Sequence, residues 1–240
     1  MQRNDQQAYD RGTSLFSPDG RIYQVEYARE AVNRGAPSLG IRTSESVILA
    51  ARRQTSSSLM EAESIDEFIG AASAGHVADA RKLIDEARTA AQRNRLRYGE
   101  PIGAETLTRT LSDEIQETTQ IGGTRPFGAA LLIGGYDNTN GNSEPRLFET
   151  DPSGAPQEWK AIAIGNNRES IQEFLEDEWG TELTTEDGVD LAIQALLEAD
   201  EEIERDGVTV GIVDADGYTD YPADNIGEKI ETFRPAESDE

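Results

Sequence analysis

The chain has no cysteine among its 240 residues, which excludes a disulfide framework and any thiolate nucleophile or thiolate metal site. Histidine occurs once, as His76. A Ser-His-Asp triad would have to use that ring, and no Gly-x-Ser-x-Gly elbow accompanies it. His76 therefore reads as a structural or pocket-lining residue. No spacing of His, Asp and Glu fits a metal site, so no metal is expected. Gly122-Gly123 and Gly134-Gly135 are not followed by Gly-Lys-Ser/Thr, so neither is a phosphate loop and no nucleotide cofactor is expected. Asp214-Ala215-Asp216-Gly217 lacks the remaining ligands of a calcium loop and reads as a hairpin turn. No hydrophobic run reaches membrane-spanning length, and no basic-then-apolar leader opens the sequence. These gaps predict a cytoplasmic protein without a membrane partner.

Lysine is scarce too: only Lys82, Lys160 and Lys229 occur. Lysine and arginine together number 22 against 47 acidic residues, a formal net charge of −25. Such a surface repels nucleic acid and anionic lipid. It also repels itself, and salt screens that repulsion. The acid is spread along the whole chain, which predicts a host with high internal salt, as in halophilic archaea. Thermal stability is expected to rise from tenths molar to molar KCl; a fall over that range would contradict this reading.

The periodicities predict paired strands and paired helices. Residues 38–43 and 47–51 read as a β-hairpin, and 68–75 as a strand rich in small residues. Residues 79–95 form a helix with Ala80, Leu83, Ile84, Ala87 and Ala91 along one face, and 104–119 a second with Leu107, Leu111 and Ile115 inward. Strands follow at 127–136, 146–150 and 159–164, with Asp151-Pro152-Ser153-Gly154 as a tight turn. Helices at 171–179 and 189–203, a hairpin at 208–213 and 217–221, and a short helix at 225–232 complete the chain. This order predicts an α/β protein: a four-layer α-β-β-α sandwich of two stacked sheets between helix layers. Residues 1–13 read as a polar tail, 14–235 as a single domain, and 236–240 as an acidic end.

One stretch organises the rest. Ser17-Pro18-Asp19-Gly20 is a strong turn signal, because proline presets φ and Asp-Gly closes the turn. Ile22, Val25, Ala28 and Val32 then recur at helical spacing, and Gly35 and Pro37 end the helix. Glu26, Glu30 and Arg34 run as a charged ladder. Periodicity alone makes this a surface helix of a globular domain.

The wording of the stretch says more. Tyr9-Asp10-Arg11, then Phe16-Ser17-Pro18-Asp19-Gly20-Arg21, then Gln24-Val25-Glu26-Tyr27-Ala28-Arg29-Glu30-Ala31-Val32 resembles the N-terminal signature of proteasome α-subunits. Gly75-His76-Val77-Ala78-Asp79-Ala80-Arg81 resembles the family's helix start. Ile121-Gly122-Gly123-Thr124-Arg125-Pro126-Phe127-Gly128 resembles its glycine-arginine-proline loop. The likeness runs from Tyr9 to about Val213.

The resemblance implies the fold of N-terminal-nucleophile hydrolases, consistent with the sandwich. It implies a non-catalytic component of the 20S proteasome, seven to a ring, whose partners are further α-subunits, β-subunits that hydrolyse peptide bonds, and a ring ATPase that docks its C-terminal tails. Tyr9, Asp10, Arg11, Pro18 and Tyr27 match the cluster that gates the axial pore. Gly20, Glu26, Arg29, Gly75 and His76 match the pocket for the activator tail, and Gly122, Gly123 and Arg125 the pore loop. The enzymatic alternative is a β-type threonine peptidase, which needs a freed N-terminal threonine whose own amine acts as base. Ala36 holds that nucleophile's place, Arg52 falls near the β-type acid, and Ser38 is internal without an adjacent base. One departure stands out. The family carries a lysine after Ser-Ile-Glu, where this chain reads Ser64-Ile65-Asp66-Glu67 with no lysine before Lys82. Either the charge is lost, with weaker docking expected, or the stretch is missing from the sequence; Arg52 or Arg53 are the candidate substitutes.

Overall fold

A computed structural model describes residues 16–17, 20–53, 62–121, 123–139, 142–200 and 202–234. The order of elements is α1 (Tyr23–Asn33), β1 (Ser38–Arg42), β2 (Val47–Arg52), β3 (Glu63–Asp66), β4 (Ile69–Gly75), α2 (Val77–Tyr98), α3 (Ala104–Gln120), β5 (Ala129–Thr139), β6 (Asn142–Thr150), β7 (Pro156–Trp159), β8 (Ala161–Ile164), α4 (Arg168–Glu178), α5 (Thr185–Ala199), β9 (Val208–Asp214), β10 (Gly217–Asp220) and α6 (Ala223–Phe233). Two antiparallel sheets form, ordered β10-β9-β2-β1-β8 and β3-β4-β5-β6-β7.

Alternation along the central strands builds three apolar layers from one sequence. Ile48 and Ala50 of β2 face α4, α5 and α6, while Val47 and Leu49 face the second sheet. Leu131 and Ile133 of β5 face α2 and α3, while Ala130 and Leu132 face back between the sheets. Both faces of these strands are buried, so the runs read as continuously apolar. The four-layer sandwich expected from the sequence is the observed architecture. Small residues let the sheets close on each other: a Cβ on Gly40 would lie 2.7 Å from Leu147, and one on Gly134 2.6 Å from Val47.

Two strands differ from the expectation. Residues 63–66 form β3, an edge strand too short and polar to read from its sequence. It pairs with β4, and Arg88 covers it by donating to the Ser64 carbonyl at 3.0 Å and pairing with Glu63 at 2.7 Å. The strand read at 159–164 is two strands. Pro156–Trp159 pairs with β6 in one sheet, and Ala161–Ile164 pairs with β1 in the other. The chain changes sheets at Lys160, whose carbonyl accepts from Arg42 N at 2.7 Å.

Helix α3 is capped from a distance. Gly103 at its N-cap has no side chain, so Asp137 of β5 reaches over, accepting from Ala104 N at 2.7 Å. Burial pushes the Asp137 carboxyl up, against the pull of the Ala104 and Glu105 amides. Asp137→Ala is expected to cost about 1 kcal/mol, the usual worth of an N-cap. Asp137→Asn keeps an acceptor and should cost less. Thermal melting of the two variants side by side checks this.

Candidate functional site

The two signature regions meet at one corner of the sandwich. Helix α1 follows its turn: Gly20 N donates to the Ser17 carbonyl at 2.8 Å, and Arg21 N donates to Ser17 Oγ at 3.1 Å. Gly20 adopts φ +77°, a left-handed conformation that glycine accepts without a Cβ clash. Val25, Ala28 and Val32 are buried, while Tyr27 on the other face is 50 % exposed. Glu30 and Arg34 pair at 3.0 Å, one rung of the ladder read from the sequence.

Three glycine backbones stack where α1 ends. A Cβ on Gly35 would lie 2.2 Å from Gly75 N, and one on Gly75 would lie 2.3 Å from the Gly128 carbonyl. His76 N donates to that same carbonyl at 2.7 Å. No other residue allows the end of α1, the β4–α2 junction and the start of β5 to approach so closely. Gly75 and His76 therefore sit beside α1. The His76 imidazole is more than half exposed, with Nδ1 3.7 Å from Asp79 Oδ1.

Asp79 is the residue the sequence did not single out as part of the site. Its carboxylate is buried and binds three ways. Both oxygens accept from the Arg125 guanidinium, Oδ1 at 2.7 Å. Gly128 N donates to Oδ2 at 2.8 Å, and His76 lies beside Oδ1. Burial pushes this carboxyl up, but the Arg125 and Gly128 donors outweigh it and hold it below the usual carboxylate range. Its position three residues after His76, within a recognisable helix start, was the available signal. The pairing with Arg125, 46 residues away, was not.

Two side chains of the segment 123–128 tie it to the helices beside it. Thr124 Oγ1 donates to the Thr118 carbonyl at 2.9 Å at the end of α3, and Arg125 is fixed on Asp79. Ile121 is 47 % exposed, and Gly123 adopts φ +91° with open space around it.

Glu26 and Arg29 lie further up α1 and face another partner. Arg29 Nη1 pairs with Glu26 at 2.9 Å, and Arg29 Nε donates to Asp151 Oδ2 at 2.8 Å. Asp151 opens the β6–β7 turn, where its Oδ1 also accepts from Ser153 N at 3.1 Å and Gly154 N donates to its carbonyl at 2.9 Å. That turn confirms the tight turn read at residues 151–154. Thus Gly75, His76 and Arg125 come together through Asp79 and Gly128, while Glu26 and Arg29 join α1 to the second sheet. Tyr9, Asp10, Arg11, Pro18 and Gly122 lie outside the described residues.

The strand start that would carry a nucleophile carries none. Ala36 is buried, and Ser38 Oγ gives its proton to the Ser73 carbonyl at 2.8 Å. Arg52 is bound to Asp200 at 2.5 Å, at the end of α5, and Arg53 N donates to the Gly207 carbonyl. The departure from the family pattern falls at Ser64-Ile65. Those residues lie inside β3, which turns through Glu67 and Phe68 directly into β4. The hairpin has no loop after Ile65, because the Ser64↔Gly70 and Asp66↔Ile69 pairings close it. Residues 54–61, before β3, lie outside the described residues.

The Asp79 geometry fixes the sign of one pH effect. A carboxyl held below its unfolded pKa adds stability above that pKa and loses it as pH falls through the folded value. Asp79→Asn should cost about 1–2 kcal/mol at pH 7, since the guanidinium is largely exposed and the amide still accepts from Gly128 N. The gap between wild type and variant should close as the pH drops below about 4. Melting temperatures at pH 7 and at acid pH check it.

The proteasome subunit family model matches residues 32–213, and the model of the N-terminal signature of A-type proteasome subunits matches residues 9–31. The chain is 64 % identical to the alpha 2 proteasome subunit of Haloferax volcanii, covering 95 % of this chain and 92 % of that one. It is 56 % identical to the alpha proteasome subunit of Halobacterium salinarum, over 98 % and 94 % of the two chains. It is 52 % identical to the alpha 2 proteasome subunit of Haloarcula marismortui, over 97 % and 98 %. With both models covering consecutive stretches of one sandwich, and relatives matched over nearly their full lengths, this chain belongs to the proteasome subunit family, on its α-type branch.

Proposed function

We propose that the chain is a scaffold and gate of a 20S proteasome, not a peptidase. Seven copies, or copies mixed with a related chain, close an outer ring stacked on a ring of β-subunits that cut peptide bonds. The N-terminal segment, with Tyr9, Asp10, Arg11, Pro18 and Tyr27, closes the axial pore, and an order–disorder change of that segment admits substrate. Ring contacts between neighbours run along α1. The loop with Gly122, Gly123 and Arg125 borders the pore. C-terminal tails of a ring ATPase dock between neighbouring copies, at the corner made by Gly20, Glu26, Arg29, Gly75 and His76. The place of work is the cytoplasm.

The observation that carries this reading is the α-type N-terminal signature over residues 9–31, ahead of the strand where a β-type chain would begin. Buried Ala36 at that strand, and a Ser38 hydroxyl committed to a backbone carbonyl, support the absence of a nucleophile. The docking corner lacks the family's lysine, and Arg52 is engaged by Asp200. Docking therefore rests on the His76 corner and on α1, and should be weaker than at a lysine-bearing pocket.

Co-expression with the host's β-type chain tests the proposal. In molar KCl, peptide hydrolysis should appear only when both chains are present in one particle. Hydrolysis by this chain alone would overturn it.

A further inference from the structure

We infer that Asp79 is the mechanical link between the activator-docking corner and the pore-bordering loop. The inference rests on the docking reading given above and adds the residue through which docking would reach the pore.

One carboxylate touches both regions. On the docking side, Oδ1 lies 3.7 Å from His76 Nδ1, and Gly75 and His76 lead directly into α2. On the loop side, the same two oxygens grip the Arg125 guanidinium, with Oδ1 accepting at 2.7 Å, and Oδ2 accepts from Gly128 N at 2.8 Å. A bidentate carboxylate–guanidinium pair fixes orientation as well as distance. The surroundings leave little slack. A Cβ on Gly128 would lie 3.4 Å from Ala31 of α1 and 3.6 Å from both Asp79 Oδ2 and the His76 Cβ, so α1, α2 and the loop end crowd one point. Asp79 lies in the first turn of the 22-residue helix α2, whose stripe of Ala80, Leu83, Ile84, Ala87 and Ala91 is buried against the second sheet. A rigid element held this way moves as a unit.

The loop has the opposite character beyond Arg125. A Cβ on Gly123 would meet nothing within 4 Å, Ile121 is half exposed, and the Thr124 hydroxyl donates to the Thr118 and Ile121 carbonyls. Arg125 is thus where the loop meets the rigid body. A tail carboxylate that draws the His76 end of α2 toward it carries Asp79 three residues on. Asp79 carries Arg125 and the loop with it. Without the charge pair, the corner can still bind the tail and His76 N still holds the Gly128 carbonyl at 2.7 Å, but the pull on Arg125 and the residues before it is lost.

The test uses assembled particles of this chain with its β-type partner, in molar KCl. The variants compared with wild type are Asp79→Asn, Arg125→Gln, and each of these combined with deletion of residues 2–12. The probe is a fluorescein-labelled decapeptide from the C-terminus of the host's ring ATPase. Binding is read by anisotropy, and pore opening by hydrolysis of a fluorogenic peptide. Asp79→Asn should still bind the decapeptide, within about threefold of wild type, yet lose at least about fivefold of its stimulation, the low end of ordinary coupling energies. Arg125→Gln should do the same; it leaves Asp79 on Gly128 N and carries the test if Asp79→Asn fails to assemble. In the tail-deleted background neither substitution should change turnover, a readout that a merely structural defect would still depress. Undiminished stimulation in either variant that assembles overturns the link. Failure of the decapeptide to bind wild-type particles overturns the docking reading itself, and the link with it.

Discussion

Gly75→Ala should be the most damaging single-methyl change in this protein, costing about 3 kcal/mol or more by combining a left-handed backbone with a main-chain clash. Gly75 adopts φ +113°, where an alanine is strained whatever the space. Its new Cβ would lie 2.3 Å from the Gly128 carbonyl oxygen and 3.0 Å from the Ala129 Cα. Those are backbone atoms, so no rotamer change relieves the contact. The backbone can yield only by breaking the Gly75↔Ala129 pairing and the His76 N–Gly128 O bond. At roughly 2–4 °C per kcal/mol for a chain of this size, the melting temperature should fall by about 6–12 °C. Gly123→Ala is the internal comparison. Gly123 also has a positive φ, of +91°, but open space around it, and should lose only about 1 kcal/mol. Equal melting temperatures for the two variants would mean that the glycine stack does not bear on stability.

Removing residues 2–12 should raise peptide turnover of the assembled particle about tenfold if the pore is closed some nine tenths of the time. The deletion spares the turn at Ser17 and Gly20 and all of α1, so it leaves in place the ring contacts proposed along that helix. A gain of turnover with unchanged particle mass separates an opened pore from a broken ring. Unfolded protein substrates should gain more than short peptides, because a partly open pore already passes the latter. Unchanged turnover of both would remove the gate from the account.

Much of this architecture is legible in the sequence, for identifiable reasons. Residues 47–51 of β2 and 129–135 of β5 are apolar without interruption because they are buried on both faces, and such runs are hard to misread. α2 keeps the apolar stripe at 80, 83, 84, 87 and 91 that its spacing predicts. The Gly20 N–Ser17 O bond and the helix that starts at Tyr23 stand where local chemistry puts them. The failures share a cause: each depends on a partner distant in the chain. β3 is a strand because β4 pairs with it and Arg88 covers its edge. Residues 156–164 divide because their hydrogen-bond partners lie in different sheets, which no periodicity records. The cap of α3 comes from Asp137, 33 residues away, where a local rule sees only glycine. The same holds at the site. The sequence names His76 and Arg125 through two separate resemblances, and only the fold shows that the carboxylate binding Arg125 also lies 3.7 Å from His76.

Acidic charge has a place in this picture as well. The core contacts are apolar, and several acids near the surface are tied by arginine, as Glu158 is by Arg146 at 2.8 Å and Glu63 by Arg88 at 2.7 Å. The 47 acids outnumber the 22 bases by 25. Association of copies that each carry −25 must overcome like-charge repulsion, which molar salt suppresses to a range of about 3 Å.

Native mass spectrometry or light scattering on the purified chain, kept in molar KCl before analysis, tests the central claim most directly. The account predicts a closed ring of seven 26.2 kDa chains, inert toward peptides until β-subunits are added. A lone 26.2 kDa chain at micromolar concentration in molar KCl, or peptide hydrolysis by the chain without any partner, would contradict it.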